Sequence, residues 1–107
     1  MKNIELNGVQ YPVHLSMGAI KRVTERTGKS LNEILAAGDS VAVCQLVYSA
    51  MESGCKIAKM KLDLSEDDFL ELVDMAFLPT MLDVLVSDLP QAGGNGQPVG
   101  EKSPLPN

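Results

Sequence analysis

The sequence contains one histidine, two cysteines and no apolar run long enough to cross a bilayer. The single histidine, His14, leaves little scope for general acid-base or nucleophilic catalysis, which needs a base within reach of a serine or cysteine. We therefore expect a protein that is not an enzyme and that has no cofactor. The longest apolar run, residues 41–51, includes Gln45 and Ser49 and is far shorter than the ~20 residues of a membrane span. No membrane partner is expected.

The cysteines, Cys44 and Cys55, are eleven residues apart. On a continuous helix this separation is about 16 Å, which is beyond the reach of a disulfide. Two cysteines and one distant histidine also lack the ligand spacing of a zinc site. We expect two buried free thiols and no metal.

The shortage of positive charge argues against a nucleic-acid partner, because the net charge is −5 and binding phosphates requires a concentrated basic patch. The charge is unevenly distributed, with +3 over residues 1–61 and −8 over residues 62–107. This polarity suits oriented association with a protein partner or with copies of the same chain as a homo-oligomer. The alternative is that the charges only solvate helix faces.

The length of 107 residues is that of one domain. We assign residues 1–89 to a single α+β domain and residues 90–107, which lack any hydrophobic period, to a flexible tail. Lys2 and Glu5 interrupt the start of the chain and no apolar signal segment follows, so we expect the protein in the cytoplasm.

The first residues predict a β-hairpin, because Asn7-Gly8 lies between alternating apolar residues and suits a two-residue turn with positive φ. With this turn, the expected opposing pairs are Leu6 with Val9, Ile4 with Tyr11, and Lys2 with Val13. The large apolar side chains then share one face, and the other face carries Asn3, Glu5, Gln10 and Pro12. A two-stranded hairpin alone is only marginally stable in water, so this hairpin must lie on helices or be completed by another sheet.

Four to five helices are expected to follow as a bundle. Ser16 is the predicted N-cap of a helix over 17–27 that ends at Gly28, with an apolar face formed by Met17, Ile20, Val23, Thr24 and Thr27. Ser30 and Glu33 form a capping box for a short helix that Gly38 terminates. Asp39 or Ser40 caps the third helix.

The third helix, from residue 41 to about residue 54 or slightly beyond, is apolar on nearly all sides and is expected to be the most buried. Its narrow polar stripe consists of Gln45, Ser49, Glu52 and Lys56. Ser65 then caps a fourth helix with an acidic first turn. A calcium-binding loop over the same residues is disfavoured, because Asp68 stands where such a loop needs glycine.

The apolar faces of helices four and five point in different directions, so we expect a kink or turn around residues 77–79, caused by Pro79. Helix five has a broad apolar arc of roughly 200°, wider than one buried stripe requires. It either contacts a partner with its second side or packs on two sides within its own domain.

Several segments together resemble the tail assembly chaperones of long-tailed bacteriophages and prophages. They are Ile4-x-Leu6-Asn7-Gly8-x-x-Tyr11-Pro12-Val13, Met17-Gly18-Ala19-Ile20 leading to Thr27-Gly28-Lys29, Leu46-Val47-Tyr48-Ser49-Ala50, and Leu64-Ser65-Glu66-Asp67-Asp68. The resemblance covers about residues 2–89. It implies a non-catalytic role in the host cytoplasm, in which the protein keeps the long helical tape measure protein soluble and brings tail tube subunits to it.

The open hairpin edge and the broad apolar face of helix five suit strand addition or helix-in-groove binding. The candidate partner-binding residues are Val9, Tyr11, Val13, Leu82, Val84 and Val86. The alternatives are a structural virion protein, such as a head-tail connector, and a cellular protein-binding adaptor.

Overall fold

The computed structural model describes residues 2–37 and 39–88. The elements in chain order are β1 (Lys2–Leu6), β2 (Val9–Val13), α1 (Met17–Thr27), α2 (Leu31–Ala37), α3 (Ser40–Ala58), α4 (Glu66–Leu72), a 3₁₀ helix (Met75–Phe77) and α5 (Leu78–Asp88). The predicted α+β class, with a two-stranded antiparallel hairpin followed by helices, is confirmed. The predicted tail, residues 90–107, and the predicted helix stop at Gly38 lie outside the described residues.

The hairpin has the predicted register, with Leu6 opposite Val9, Ile4 opposite Tyr11 and Lys2 opposite Val13. Its turn has positive φ at both Asn7 and Gly8, as this short connection requires. Ile4, Leu6 and Val13 are buried against the helices. Val9 does not follow the predicted pattern and is 42% exposed, because the helices leave the turn-proximal end of β2 open.

Helix α3 is the central element, as predicted, and it contacts β2, α1, α2, α4 and α5. It continues to Ala58, one turn beyond the expected end. At Gly54 the strand β2 comes very close, and a Cβ atom there would lie 2.3 Å from the carbonyl oxygen of Pro12. This approach explains why Pro12 is buried, although its strand position predicted an outward orientation.

The first helix is joined to α3 by polar contacts that the sequence pattern did not predict. Ser49 was expected on a solvated stripe, but it is 1% exposed and lies under α1. Its hydroxyl donates to the carbonyl oxygen of Ala19 at 3.1 Å and accepts from Nε of Arg22 at 3.0 Å. Met17 was expected on the buried face of α1, yet it is 74% exposed, because Ala19 and Val23 form that face.

The predicted helix starts are confirmed in atomic detail. The Ser16 hydroxyl accepts from the Ala19 amide, and Ser65 accepts from the Asp68 amide in the same way. The capping box is complete, since the Ser30 amide donates to the Glu33 carboxylate and the Glu33 amide donates to the Ser30 hydroxyl. Gly28 ends α1 in the left-handed conformation, with φ of 73°. The Ser65 cap also shows that residues 66–72 form a helix, which is the interpretation that the sequence favoured over a calcium-binding loop.

The predicted break between α4 and α5 is present, but it spans residues 73–77 and, contrary to the expectation, does not arise from Pro79. Helix α4 ends at Leu72, and Val73 and Asp74 have extended backbone. Pro79 is the second residue of α5, where a missing amide hydrogen costs no helical hydrogen bond. The break therefore begins at Val73, before the residues 77–79 at which proline chemistry placed it.

Helix α5 packs against both β1 and α3. Met81 and Leu85 are fully buried between these elements. The broad apolar arc is thus largely used inside the domain, as the alternative interpretation held. Within the described ranges, no helix combines the length and apolar character needed to cross a membrane.

Candidate protein-binding site

An apolar groove lies between the first turns of α3 and the segment that joins α4 to α5. Its volume is about 260 Å³, which is below the ~300–1,000 Å³ of typical small-molecule sites. The apolar lining residues are Val41, Cys44, Leu70, Val73, Met75 and Leu78, and the polar ones are Ser40 and Asp74. We call this surface the α3–α5 groove.

The first wall of the groove depends on the start of α3. The Asp39 carboxylate caps this helix by accepting from the Ala42 amide at 3.2 Å, and it also pairs with the Lys29 ammonium group. Both contacts hold the pKa of Asp39 below its usual range, the bond to Lys29 being the larger cause. The cap fixes the first turn, so that Val41 and Cys44, three residues apart, lie on one side of the helix.

The second wall is attached to α3 through aromatic residues. Phe69 of α4 is fully buried, and its ring lies 5.7 Å from that of Tyr48 of α3. The Tyr48 hydroxyl donates to the Leu64 carbonyl oxygen at 2.6 Å, which fixes the chain before α4. Burial is the main reason that the pKa of Tyr48 is raised. These contacts place α4 beside α3 without closing the space at its end.

The segment after α4 leaves apolar side chains in solvent. The extended Asp74 caps the 3₁₀ helix by accepting from the Phe77 amide at 3.1 Å. Met75, the first residue of that helix, is 69% exposed, and Val41 across the groove is 56% exposed. An open aliphatic surface of this size can receive one or two side chains from another protein, with the backbone of the partner outside.

The sequence-predicted partner residues do not form this groove. Of the hairpin residues, Val13 is fully buried, Tyr11 is partly buried and Val9 is exposed. Val13 is therefore a core residue, because its side chain lies between the strands and helices with no surface to offer. The three α5 residues have intermediate or high exposure, and they are Leu82, Val84 and Val86. For the five residues with exposed surface, partner binding stays a prediction.

The groove residues Val41 and Met75 are not among the partner-binding residues predicted from the sequence. Val41 was assigned to the buried third helix on apolar character alone, and Met75 was placed inside a continuous helix before the expected break at Pro79. A signal was available in Asp74, since an aspartate three residues before Phe77 matches the spacing of a helix cap. It would have moved the break to the correct place.

A second, polar depression of about 430 Å³ lies over α1 and α3 and is lined by Arg22, Glu25, Arg26, Ser49 and Glu52. The Arg22 guanidinium is occupied within the protein, because its Nη2 atom donates to the Ser49 carbonyl oxygen at 2.9 Å and to the Ser53 hydroxyl at 3.0 Å. Both signs of charge line the depression. This arrangement joins two helices and presents no consistent charge to a ligand.

The described part of the chain shows neither a group of metal ligands nor a cysteine in a setting that favours the reactive thiolate. Cys44 and Cys55 are free, and burial raises the pKa of both thiols, which disfavours the reactive thiolate. Among residues 2–37 and 39–88, no group of three or more His, Cys, Asp or Glu side chains could hold a metal ion. His14 lies just after β2, and its amide donates to the Ala50 carbonyl oxygen at 3.0 Å.

Comparison of the chain with models of protein families, with curated proteins and with solved structures found no match.

Proposed function

We propose that this chain is a non-catalytic tail assembly chaperone of a long-tailed phage or prophage, acting in the host cytoplasm. In this proposal it binds the tape measure protein and helps to recruit tail tube subunits. The observation that carries the proposal is the α3–α5 groove, where Val41 and Met75 are each more than half exposed. An apolar helix face docks in such a groove by inserting side chains at helical spacing. The choice of partner rests on the sequence resemblance.

The size of the groove also supports a chaperone role. A site for one or two side chains gives weak and reversible binding, because association must first offset the loss of translational and rotational freedom. A long helical partner offers many such segments, which several copies of a small protein can cover at once. Because these contacts are weak, the subunits that form the final structure can later displace this protein from its helical partner.

Co-expression with the tape measure protein from the same gene cluster tests the proposal. We expect the tape measure protein to stay soluble and to co-purify with this chain. Met75→Ser should reduce the recovered complex, because it removes an exposed side chain from the groove. Met17→Ser is the matched control, since Met17 has similar exposure on α1, at 74% against 69%. It should leave the complex intact.

Two results would contradict the proposal. The first is a tape measure protein whose solubility does not depend on this chain. The second is recovery of the chain from purified particles as a stoichiometric component, which would favour a structural virion protein such as a head-tail connector.

A further inference from the structure

We infer that the α3–α5 groove accepts a basic amphipathic helix, in which lysine or arginine residues flank the apolar side chains that enter the groove. This inference rests on the proposed function, because it names the chemistry of a partner segment for the same site. It follows from the charges of residues 62–88, which form the second wall of the groove and which we call the α4–α5 wall. All charged residues of this wall are acidic.

The α4–α5 wall contains no lysine or arginine between residues 62 and 88. Two of its carboxylates are paired inside the protein, Asp63 with Lys61 and Glu66 with Arg26. Other carboxylates of this wall form no ion pair with any residue in the described ranges, and these are Asp67, Asp68, Glu71, Asp74 and Asp83. The wall therefore presents uncompensated negative charge beside an apolar surface.

At least one of these charges, the Asp74 carboxylate, belongs to the groove. Asp74 lines the groove itself. Asp67 lies one helical turn before the lining residue Leu70 on α4, and the exposed Glu71 is the next residue after Leu70 in the chain. At the start of α3, Lys29 from the segment between α1 and α2 is already paired with the capping Asp39 carboxylate. The groove thus offers acceptors to an incoming cation, and the nearby lysine does not neutralise them.

The charge pattern selects among partners that share the same apolar face. Each exposed ion pair changes affinity by about 1.5- to 5-fold at low salt. An acidic flank is disfavoured by repulsion of similar size. Because exposed pairs are screened beyond about 10 Å at 0.1 M salt, the selection should weaken at high ionic strength.

Three synthetic peptides of about 18 residues test this inference. All carry the same leucine face at helical spacing, and their flanking positions are all lysine, all glutamine or all glutamate. Fluorescence anisotropy at about 50 mM salt should show the lysine peptide binding about fivefold tighter than the glutamine peptide, with the glutamate peptide weakest. The difference should shrink at about 500 mM salt.

Variants of the protein assign the preference to this groove. The double variant Asp74→Asn with Glu71→Gln removes two charges, and asparagine keeps an oxygen that can accept from the Phe77 amide. It should lose most of the preference for lysine. Glu5→Gln on the hairpin is the control, because glutamine can keep the contact with Gln10. Met75→Ser should weaken the binding of all three peptides.

The outcomes separate this inference from the proposed function. Equal binding of the three peptides, with loss on Met75→Ser, overturns the charge inference and leaves a protein-binding groove. A lysine preference that the Asp74 and Glu71 variants do not change also overturns it. If no peptide binds, the inference fails, and co-purification with the tape measure protein decides the proposed function. Self-association that is lost on Met75→Ser would assign the groove to a second copy and overturn the inference.

Discussion

The two sides of helix α3 are built differently. On one side, β2 approaches it closely at the backbone, with Pro12 against Gly54, and α1 is joined to it by hydrogen bonds from the Arg22 side chain to Ser49 and Ser53. On the other side, α4 and α5 leave the α3–α5 groove open. The contrast indicates that the α1–β2 side of the helix is fully packed, whereas the α4–α5 side is packed by Phe69, Met81 and Leu85 and still leaves apolar surface exposed at the groove. Substitutions should therefore separate stability from binding.

The largest effect is expected where β2 meets α3. Gly54→Ala places a methyl group 2.3 Å from a backbone oxygen that has little freedom to move. We expect a loss of about 3 kcal/mol in the free energy of unfolding, measured by urea denaturation. Gly18→Ala is the control, because its new methyl group meets only side-chain atoms at 3.6 Å or more. It should be stabilising by about 0.5–1 kcal/mol. Equal behaviour of the two variants would contradict the close approach.

A smaller loss is expected where α1 meets α3. Arg22→Met keeps the aliphatic part of the side chain and removes the hydrogen bonds to Ser49 and Ser53, so the free energy of unfolding should fall by about 1–2 kcal/mol. Lys21→Met is the neighbouring control. Its ammonium group is exposed and, among the described residues, pairs with Glu25 alone, along the same helix, so a change below about 0.5 kcal/mol is expected. A neutral Arg22→Met would show that the polar contacts add nothing to stability.

Substitutions in the groove should change binding and hardly change stability. The double variant Val41→Ala with Met75→Ala removes exposed side chains, so the free energy of unfolding should stay within about 0.5 kcal/mol of the unmodified protein. Binding of the tape measure protein should fall clearly. Ile57→Ala, at the other end of α3 and 57% exposed, should affect neither property. A large loss of stability in the double variant would mean that the groove residues belong to the core.

The smallest effect concerns the cap of α3 at the groove. Contacts with Lys29 and the Ala42 amide lower the pKa of Asp39 from its ordinary value of 3.8. The charged carboxylate therefore stabilises the fold above pH 3.8, and this contribution is lost as the pH falls through the lower pKa of the folded state. Asp39→Asn keeps the cap and loses the charge. We expect its Tm to be slightly lower at pH 7, with the difference disappearing toward pH 2. A constant difference would contradict this assignment.

The sequence predicted the parts of the fold that depend on neighbouring residues. Asn7-Gly8 determines the hairpin register through its φ requirement, and Ser16, Ser30 and Ser65 determine helix starts through hydrogen bonds spanning three residues. For each of these turns and caps, the local sequence strongly favours one backbone conformation. Their geometry therefore follows from the residue order alone.

The groove could not be predicted in this way, because it depends on how separate helices dock. The same apolar character describes the fully buried Val43 and the exposed Val41 of one helix. Which of them is covered depends on how the neighbouring elements pack around α3. Pro79 misled the prediction because proline is tolerated in the first turn of a helix as readily as it interrupts one.

The reactivity of Cys44 can be used to measure whether the groove is occupied. Its side chain lines the groove and is 8% exposed, whereas Cys55 is 3% exposed and outside the lining. Since burial raises the pKa of the Cys44 thiol, its alkylation at neutral pH should be slow, and a docked helix should slow it further. Modification of Cys44 over time, followed by mass spectrometry with Cys55 as internal reference, would measure occupancy in the unaltered protein.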